Sequence, residues 1–160
     1  MFSKCCIIKR HYNGTIQITS NSIKNCQSTP KNIVNYTTLG DKTVNYYQSK
    51  NKGGSYICFD FLDLKIEIQS YLLKMMSDNY LKNWILEGSN NNIDWTPIDI
   101  RNDCEGTNVE NVRIVMKANN SNDVFYRYVK LRQTGPNWQN RNEMMIGFIE
   151  FYGRILIPKF

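Results

Sequence analysis

Short runs of alternating apolar and polar residues, rather than helical stripes, organise this chain of 160 residues. In residues 15–19, Ile16 and Ile18 alternate with polar neighbours, the period of two that marks a strand with one buried face. The run SYICFDFL, residues 55–62, sets Ile57, Phe59 and Phe61 on one side and Asp60 on the other. Residues 65–73 alternate Ile66 and Ile68 with Glu67 and Gln69, and residues 112–117 alternate again. Residues 83–87 (NWILE) read as a short apolar strand ahead of dense turn chemistry in 88–94 (GSNNNID). Residues 125–133 (FYRYVKLRQ) and 143–152 (EMMIGFIEFY) are rich in β-branched and aromatic side chains. Helix is predicted only over residues 30–36, as a turn or two with Thr29 as N-cap and Pro30 at the first helical position. Many short strands separated by turn signals predict an all-β sandwich or barrel. No linker or repeat divides the chain, so residues 1–153 form one domain. Residues 154–160 (RILIPKF) read as a short tail, where Pro158 limits strand pairing.

Composition then removes several classes of chemistry. The net charge of +6 is spread over the chain and interleaved with acids such as Asp60, Asp63, Glu67, Glu87, Asp94 and Glu150. No run of about five like charges forms a basic arm, so the charge reads as a solvated surface and nucleic acid is disfavoured as a partner. The five cysteines, Cys5, Cys6, Cys26, Cys58 and Cys104, are dispersed and odd in number, which suits free thiols in a reducing compartment. The apolar run at residues 5–8 is too short for a secretory signal, and Lys9, Arg10 and His11 follow at once. The protein is therefore expected to be cytoplasmic, and the sequons at Asn13, Asn35 and Asn119 read as chance matches. With one histidine, His11, catalysis by a Ser-His or Cys-His pair lacks a marked nucleophile, and zinc lacks its usual ligand set. Gly53-Gly54 fits no phosphate-loop pattern. A non-enzymatic chain without cofactor or metal is expected.

The most specific signal is tripartite. Residues 126–135 (YRYVKLRQTG) run into Pro136-Asn137-Trp138, and residues 149–153 read Ile-Glu-Phe-Tyr-Gly. Upstream stand residues 84–90 (WILEGSN) and Asp94-Trp95. At these residues the chain resembles the discoidin, or coagulation factor V/VIII type C, family of galactose-binding-like folds, with the flavour of the intracellular branch attached to BTB-domain proteins. The resemblance spans residues 13–153 and includes Gly14 to Ser22 as the opening strand and turn, with Tyr56 and Asp60 at the family's aromatic and acid. It departs at Asn91-Asn92-Ile93, where a looser hairpin replaces the usual Asp-Gly turn. It implies a jelly-roll β-sandwich with its termini together at one end and recognition loops at the other. Extracellular members bridge a cysteine near the start to one after the final glycine. Here Arg154 follows Gly153, so neither Cys5 nor Cys6 finds that partner. Some relatives hold calcium with a C-terminal-strand glutamate; Glu150 occupies that place, but no Asp-rich loop completes a shell.

The resemblance places the recognition rim at residues 20–29, 36–44, 74–81 and 134–142. Its candidate contacts are Ile23, Lys24, Leu39, Lys42, Met75, Met76, Tyr80, Trp138, Asn140 and Arg141; the Met, Trp, Tyr and Arg among them are types that dominate binding hot spots. Met75 and Met76 are adjacent on a strand, so one of them faces outward. Trp138 is either an exposed contact or a plug over the end of the core. Arg127 and Arg132 read as structural, paired with Glu150 or Asp60. The expected function is non-catalytic ligand binding by a monomer, with a protein partner first and, by resemblance, a link to ubiquitin ligation. The alternative is a carbohydrate, stacked on Trp138 or Tyr80, or an anionic lipid met by Ile23-Lys24 and Leu39-Lys42.

Overall fold

The alternating runs become the strands of two antiparallel sheets. The computed structural model describes residues 5–6, 16–34, 46–76, 80–108, 113–119 and 123–158. Among them the strands are β1 (Cys5–Cys6), β2 (Gln17–Ser20), β3 (Tyr47–Gln48), β4 (Tyr56–Asp60), β5 (Lys65–Met75), β6 (Trp84–Ser89), β7 (Thr96–Arg101), β8 (Arg113–Lys117), β9 (Tyr128–Gln133) and β10 (Met145–Leu156). One sheet runs β1-β10-β5-β8, with β3 also paired to β10; the other runs β2-β4-β9-β6-β7. The expected helical turn is a short 3-10 helix, Pro30–Val34, whose Asn32 N–H donates to the Thr29 carbonyl at 3.1 Å.

The predicted inward faces meet between the sheets. Ile57, Phe59 and Phe61 are fully buried, and Phe59 packs edge-on against Phe151 of the other sheet with ring centroids 5.1 Å apart. Each such side chain contributes roughly 1.5–3 kcal/mol by leaving water. A polar clamp also crosses the core. The Tyr71 hydroxyl on β5 donates to Asp99 Oδ2 on β7 at 2.6 Å, and the Trp84 indole N–H donates to the Tyr71 oxygen at 2.9 Å. Arg101 reaches Asp99 Oδ2 at 2.8 Å and the Lys117 carbonyl at 2.9 Å, which ties edge strand β7 to edge strand β8. Burial, reinforced by the Asp99 carboxylate, drives the Tyr71 phenol far above its ordinary pKa.

On the outer face of the second sheet, charges neutralise one another. Glu87 takes Arg132 through both oxygens, at 2.9 and 3.2 Å, and Lys130 at 3.0 Å. The Lys130 ammonium also lies 3.7 Å from the Trp95 ring centroid and 5.3 Å from that of Tyr56. Burial pushes the Glu87 carboxyl up, but the two cations outweigh it and its pKa lies below the ordinary value. Arg127 grips Asp60 at 2.8 and 3.0 Å, one of the two partners expected. Arg132 instead chooses Glu87, the residue two strand positions away across β6 and β9.

One expectation about the chain's last part is corrected. β10 does not stop at Gly153: Arg154, Ile155 and Leu156 pair with Glu67, Ile66 and Lys65 where a tail was expected. The cause is local, since Ile155 is buried and the Arg154 guanidinium serves both buried Glu67 and Asp123. Gly153 itself lies so close to β5 that a Cβ there would collide with the Glu67 carbonyl oxygen. Opposite Gly153 stands Cys5 of β1, so the first and last strands lie side by side.

Candidate functional site

Strand directions decide which loops meet. Tyr56 of β4 pairs with Arg132 of β9, and Trp84 of β6 pairs with both Gln133 and Arg101. Met75 of β5 and Ile146 of β10 pair nearby in the other sheet. The loops at residues 21–29, 49–55, 80–83, 102–108 and 134–144 therefore gather at one end, opposite the Cys5–Gly153 pairing. Loops 49–55 and 102–108 were not foreseen at this rim. Residues 36–44, with Leu39 and Lys42, lie outside the described residues.

The loop after β9 is held by one amide. Asn137 is 2 % exposed, and its Oδ1 accepts the N–H groups of Gln139 and Arg141, each at 3.0 Å. Its Nδ2 donates to the Glu143 carbonyl at 3.1 Å, and its own N–H donates to the Arg141 carbonyl at 2.8 Å. Asn140 closes the turn in the left-handed region, φ 59°, a conformation that asparagine tolerates better than most residues. Asn137 is the loop's buried keystone. The neighbouring loop is stitched on by Asn83, whose Nδ2 donates to the Pro136 carbonyl at 3.0 Å and whose Oδ1 accepts the Asp103 N–H at 2.9 Å.

Trp138 stands on this frame. Its indole N–H donates to the Thr107 hydroxyl at 2.8 Å, and its backbone N–H donates to the Tyr80 carbonyl at 3.2 Å. Thr107 is fully buried and its hydroxyl lies 2.7 Å from the Leu81 carbonyl, to which it donates. One edge of the indole is thus fixed while 36 % of the residue stays in solvent. The Lys82 ammonium lies 4.9 Å from the ring centroid and 2.7 Å from Asp103 Oδ1. Trp138 is neither a free contact nor a buried plug. It is a pinned ring with an open portion, drawn from three loops.

The remaining predicted residues divide. Asn140 and Arg141 are exposed on the Trp138 loop, and Ile23 and Lys24 are exposed on the loop after β2. Lys24 reaches across to Glu143 at 2.8 Å, and Gln48 donates to the same buried carboxylate oxygen at 2.9 Å. Met75 and Tyr80 are corrections. Met75 is fully buried beside Ile146, and Tyr80 is 8 % exposed, so both serve the core beneath the rim rather than a ligand. Met76 is half-buried, and a Cβ on Gly147 would strike it. Lys82, Thr107 and Asp103 were missed. Lys82 and Asn83 immediately precede β6 and so share the rim with Gln133, a sequence clue that was there to use. Among the described residues no cluster of three or more His, Cys, Asp or Glu is placed to hold a metal ion. Glu150 accepts a hydrogen bond from the Tyr152 hydroxyl, and His11 lies outside the described residues.

No family model matches the sequence, and no curated protein matches it. Solved structures do match in shape. A module from Clostridium perfringens, in complex with GalNAc-β-1,3-galactose, gives a TM-score of 0.64 over 88% of this chain and 96% of its own, at 13% identity. The family 32 carbohydrate-binding module of C. perfringens NanJ, in complex with galactose, gives 0.65 over 94% and 99%, at 9% identity. The corresponding module of AlyQ, in complex with 4,5-unsaturated mannuronic acid, gives 0.63 over 84% and 92%, at 14% identity. These neighbours are galactose-binding-like β-sandwiches, so the predicted fold is the observed one. The likeness reaches that fold and not the BTB-associated branch.

Proposed function

We propose that this chain is a non-catalytic carbohydrate-binding module that takes a sugar at the rim around Trp138. The observation that carries the reading is the pinned, part-exposed indole, bonded to Thr107 on one edge with about a third of the residue left in solvent. A pyranose presents a face of C–H groups that stacks on an aromatic ring, and equatorial hydroxyls that need directional partners at the ring's margin. Gln139, Asn140 and Arg141, all exposed on the same loop, supply amide and guanidinium groups of that kind. Because Asn137 and Thr107 fix the platform beforehand, little ordering is charged against binding. The likeness to modules solved with saccharides supports the same reading.

This reading replaces the protein partner expected from the sequence. The solved neighbours named above hold GalNAc-β-1,3-galactose, galactose and a mannuronic acid derivative, all of them saccharides. A glycan array probed with the wild-type chain and with Trp138→Ala tests the proposal. Retained glycan signals that vanish in the variant support it, whereas a folded wild-type chain that binds no glycan ends it.

A further inference from the structure

The two ends of the sandwich differ in charge. At the rim the described residues include five cations, Lys24, Lys50, Lys52, Lys82 and Arg141, against three acids, Asp103, Glu105 and Glu143. At the opposite end stand Asp60, Asp63, Glu67, Asp94 and Asp123 against Lys65, Arg127 and Arg154. Two of the rim acids are already engaged. Asp103 holds Lys82 at 2.7 Å, and buried Glu143 holds Lys24 at 2.8 Å and Gln48 at 2.9 Å. Among the described residues Lys50, Lys52 and Arg141 enter no ion pair, and Glu105 is the exposed acid that stands apart from one.

These cations are not scattered. The Lys52 N–H donates to the Asn142 carbonyl at 3.3 Å, and the Asn142 N–H donates to Asn51 Oδ1 at 2.8 Å. The 49–55 loop therefore lies against the loop that carries Trp138 and Arg141. The Lys82 ammonium lies 4.9 Å from the Trp138 ring centroid. Among the described residues, two of the rim's three carboxylates are engaged by lysines. A neutral sugar hydroxyl that must donate its proton finds few anionic acceptors here, whereas a carboxylate or sulfate oxygen meets a guanidinium with up to five N–H donors.

On the footing of the carbohydrate reading, we infer that the saccharide bound at this rim carries an anionic group, a carboxylate or a sulfate, met by Arg141 on the Trp138 loop. Its negative charge is also drawn to this end by the summed field of the rim cations, an effect that weakens with salt.

The test is titration calorimetry with matched oligosaccharides. Galacturonate, glucuronate and mannuronate oligomers are compared with their methyl esters, a sulfated galactan oligomer with its desulfated form, and a chitosan oligomer serves as the cationic probe. The wild-type chain should prefer the charged member of at least one matched pair by about tenfold or more at low salt, with the preference shrinking as ionic strength rises to about 0.5 M. The pair that shows the preference tells carboxylate from sulfate. Arg141→Ala should carry that ratio toward one, Arg141→Lys should hold part of it, and Lys65→Ala at the opposite end should leave it unchanged. Equal affinity for both members of every pair, or a preference for chitosan, overturns the inference and leaves the carbohydrate reading standing. A folded wild-type chain that binds no oligosaccharide overturns both.

Discussion

Replacing Trp138 by alanine separates the platform's two tasks, and the structure supplies a magnitude for each. The residue is 36 % exposed, so about 160 Å² of a side chain of roughly 250 Å² is covered. At about 25 cal/mol per Å² this corresponds to about 4 kcal/mol as an upper bound, reduced toward about 3 kcal/mol because a realistic unfolded chain already hides part of that area. The lost hydrogen bond to Thr107 adds about 1 kcal/mol, while the Thr107 hydroxyl keeps the Leu81 carbonyl as its acceptor. Trp138→Ala should therefore cost about 3–4 kcal/mol of stability by urea unfolding. Affinity per folded molecule should also fall by about 2 kcal/mol or more, the range of a hot-spot aromatic. Trp138→Phe keeps a ring but not the indole N–H, so it should lose about 1 kcal/mol of stability and retain most binding. The assay is calorimetric titration of a saccharide chosen from the array, at a temperature where unfolding curves show each variant folded. If Trp138→Ala binds within about twofold of wild type per folded molecule, the ring is only a cover for the core and the site argument fails.

Asn137→Ala removes the acceptor of two backbone N–H groups and the donor to Glu143, so stability should fall by about 2–3 kcal/mol and saccharide affinity should fall with it; an unchanged melting curve refutes the keystone assignment. Glu87 has its pKa lowered in the fold, so its contribution is complete above the ordinary carboxylate range and is lost as pH falls through the lowered value. Glu87→Gln should therefore lower stability at pH 7 and flatten the acid limb of the stability profile, and an acid limb identical to wild type counts against the Arg132–Glu87–Lys130 pairing. Burial raises the Cys58 thiol to about 11 despite nearby Lys130, which leaves about one molecule in ten thousand as thiolate at pH 7. In pulse alkylation read by mass spectrometry, exposed Cys26 should be modified first and Cys58 only on unfolding; early labelling of Cys58 contradicts its placement in the core.

The sequence made the sandwich legible where a strand obeys its alternation. Ile57, Phe59 and Phe61 point inward as their spacing requires, and so do Ile66 and Ile68. β7 escaped notice because Thr96–Arg101 carries a proline at its second position and an aspartate, Asp99, on its inward face. That aspartate is intelligible only once Tyr71, twenty-eight residues away, and Arg101 are seen to satisfy it. Strand β3 is two residues long and too short to leave a pattern. The rim shows the same division. Trp138 and Arg141 announce themselves as an aromatic and a base in a turn-rich loop, whereas Thr107 matters through a contact thirty-one residues distant. Tyr80 has the composition of a contact residue and the burial of a core residue, and its carbonyl accepts the Trp138 N–H. Arg154 read as tail because its partner, Glu67, lies eighty-seven positions back.

The side-by-side position of β1 and the last residues of β10, at the end away from Trp138, bears on how such a fold is used. A tether leaving from either strand departs on the side away from the Trp138 rim. Joining the chain there to a bead, to a second copy or to another fold leaves the platform facing outward. If the rim takes one sugar unit, two such modules on one polysaccharide make the second capture intramolecular. With a short flexible connector the local concentration is about millimolar, and retention can rise by about 10²–10⁴ with no new contact. Residence on a polymer then depends on connector length and on the spacing of sugars along the chain.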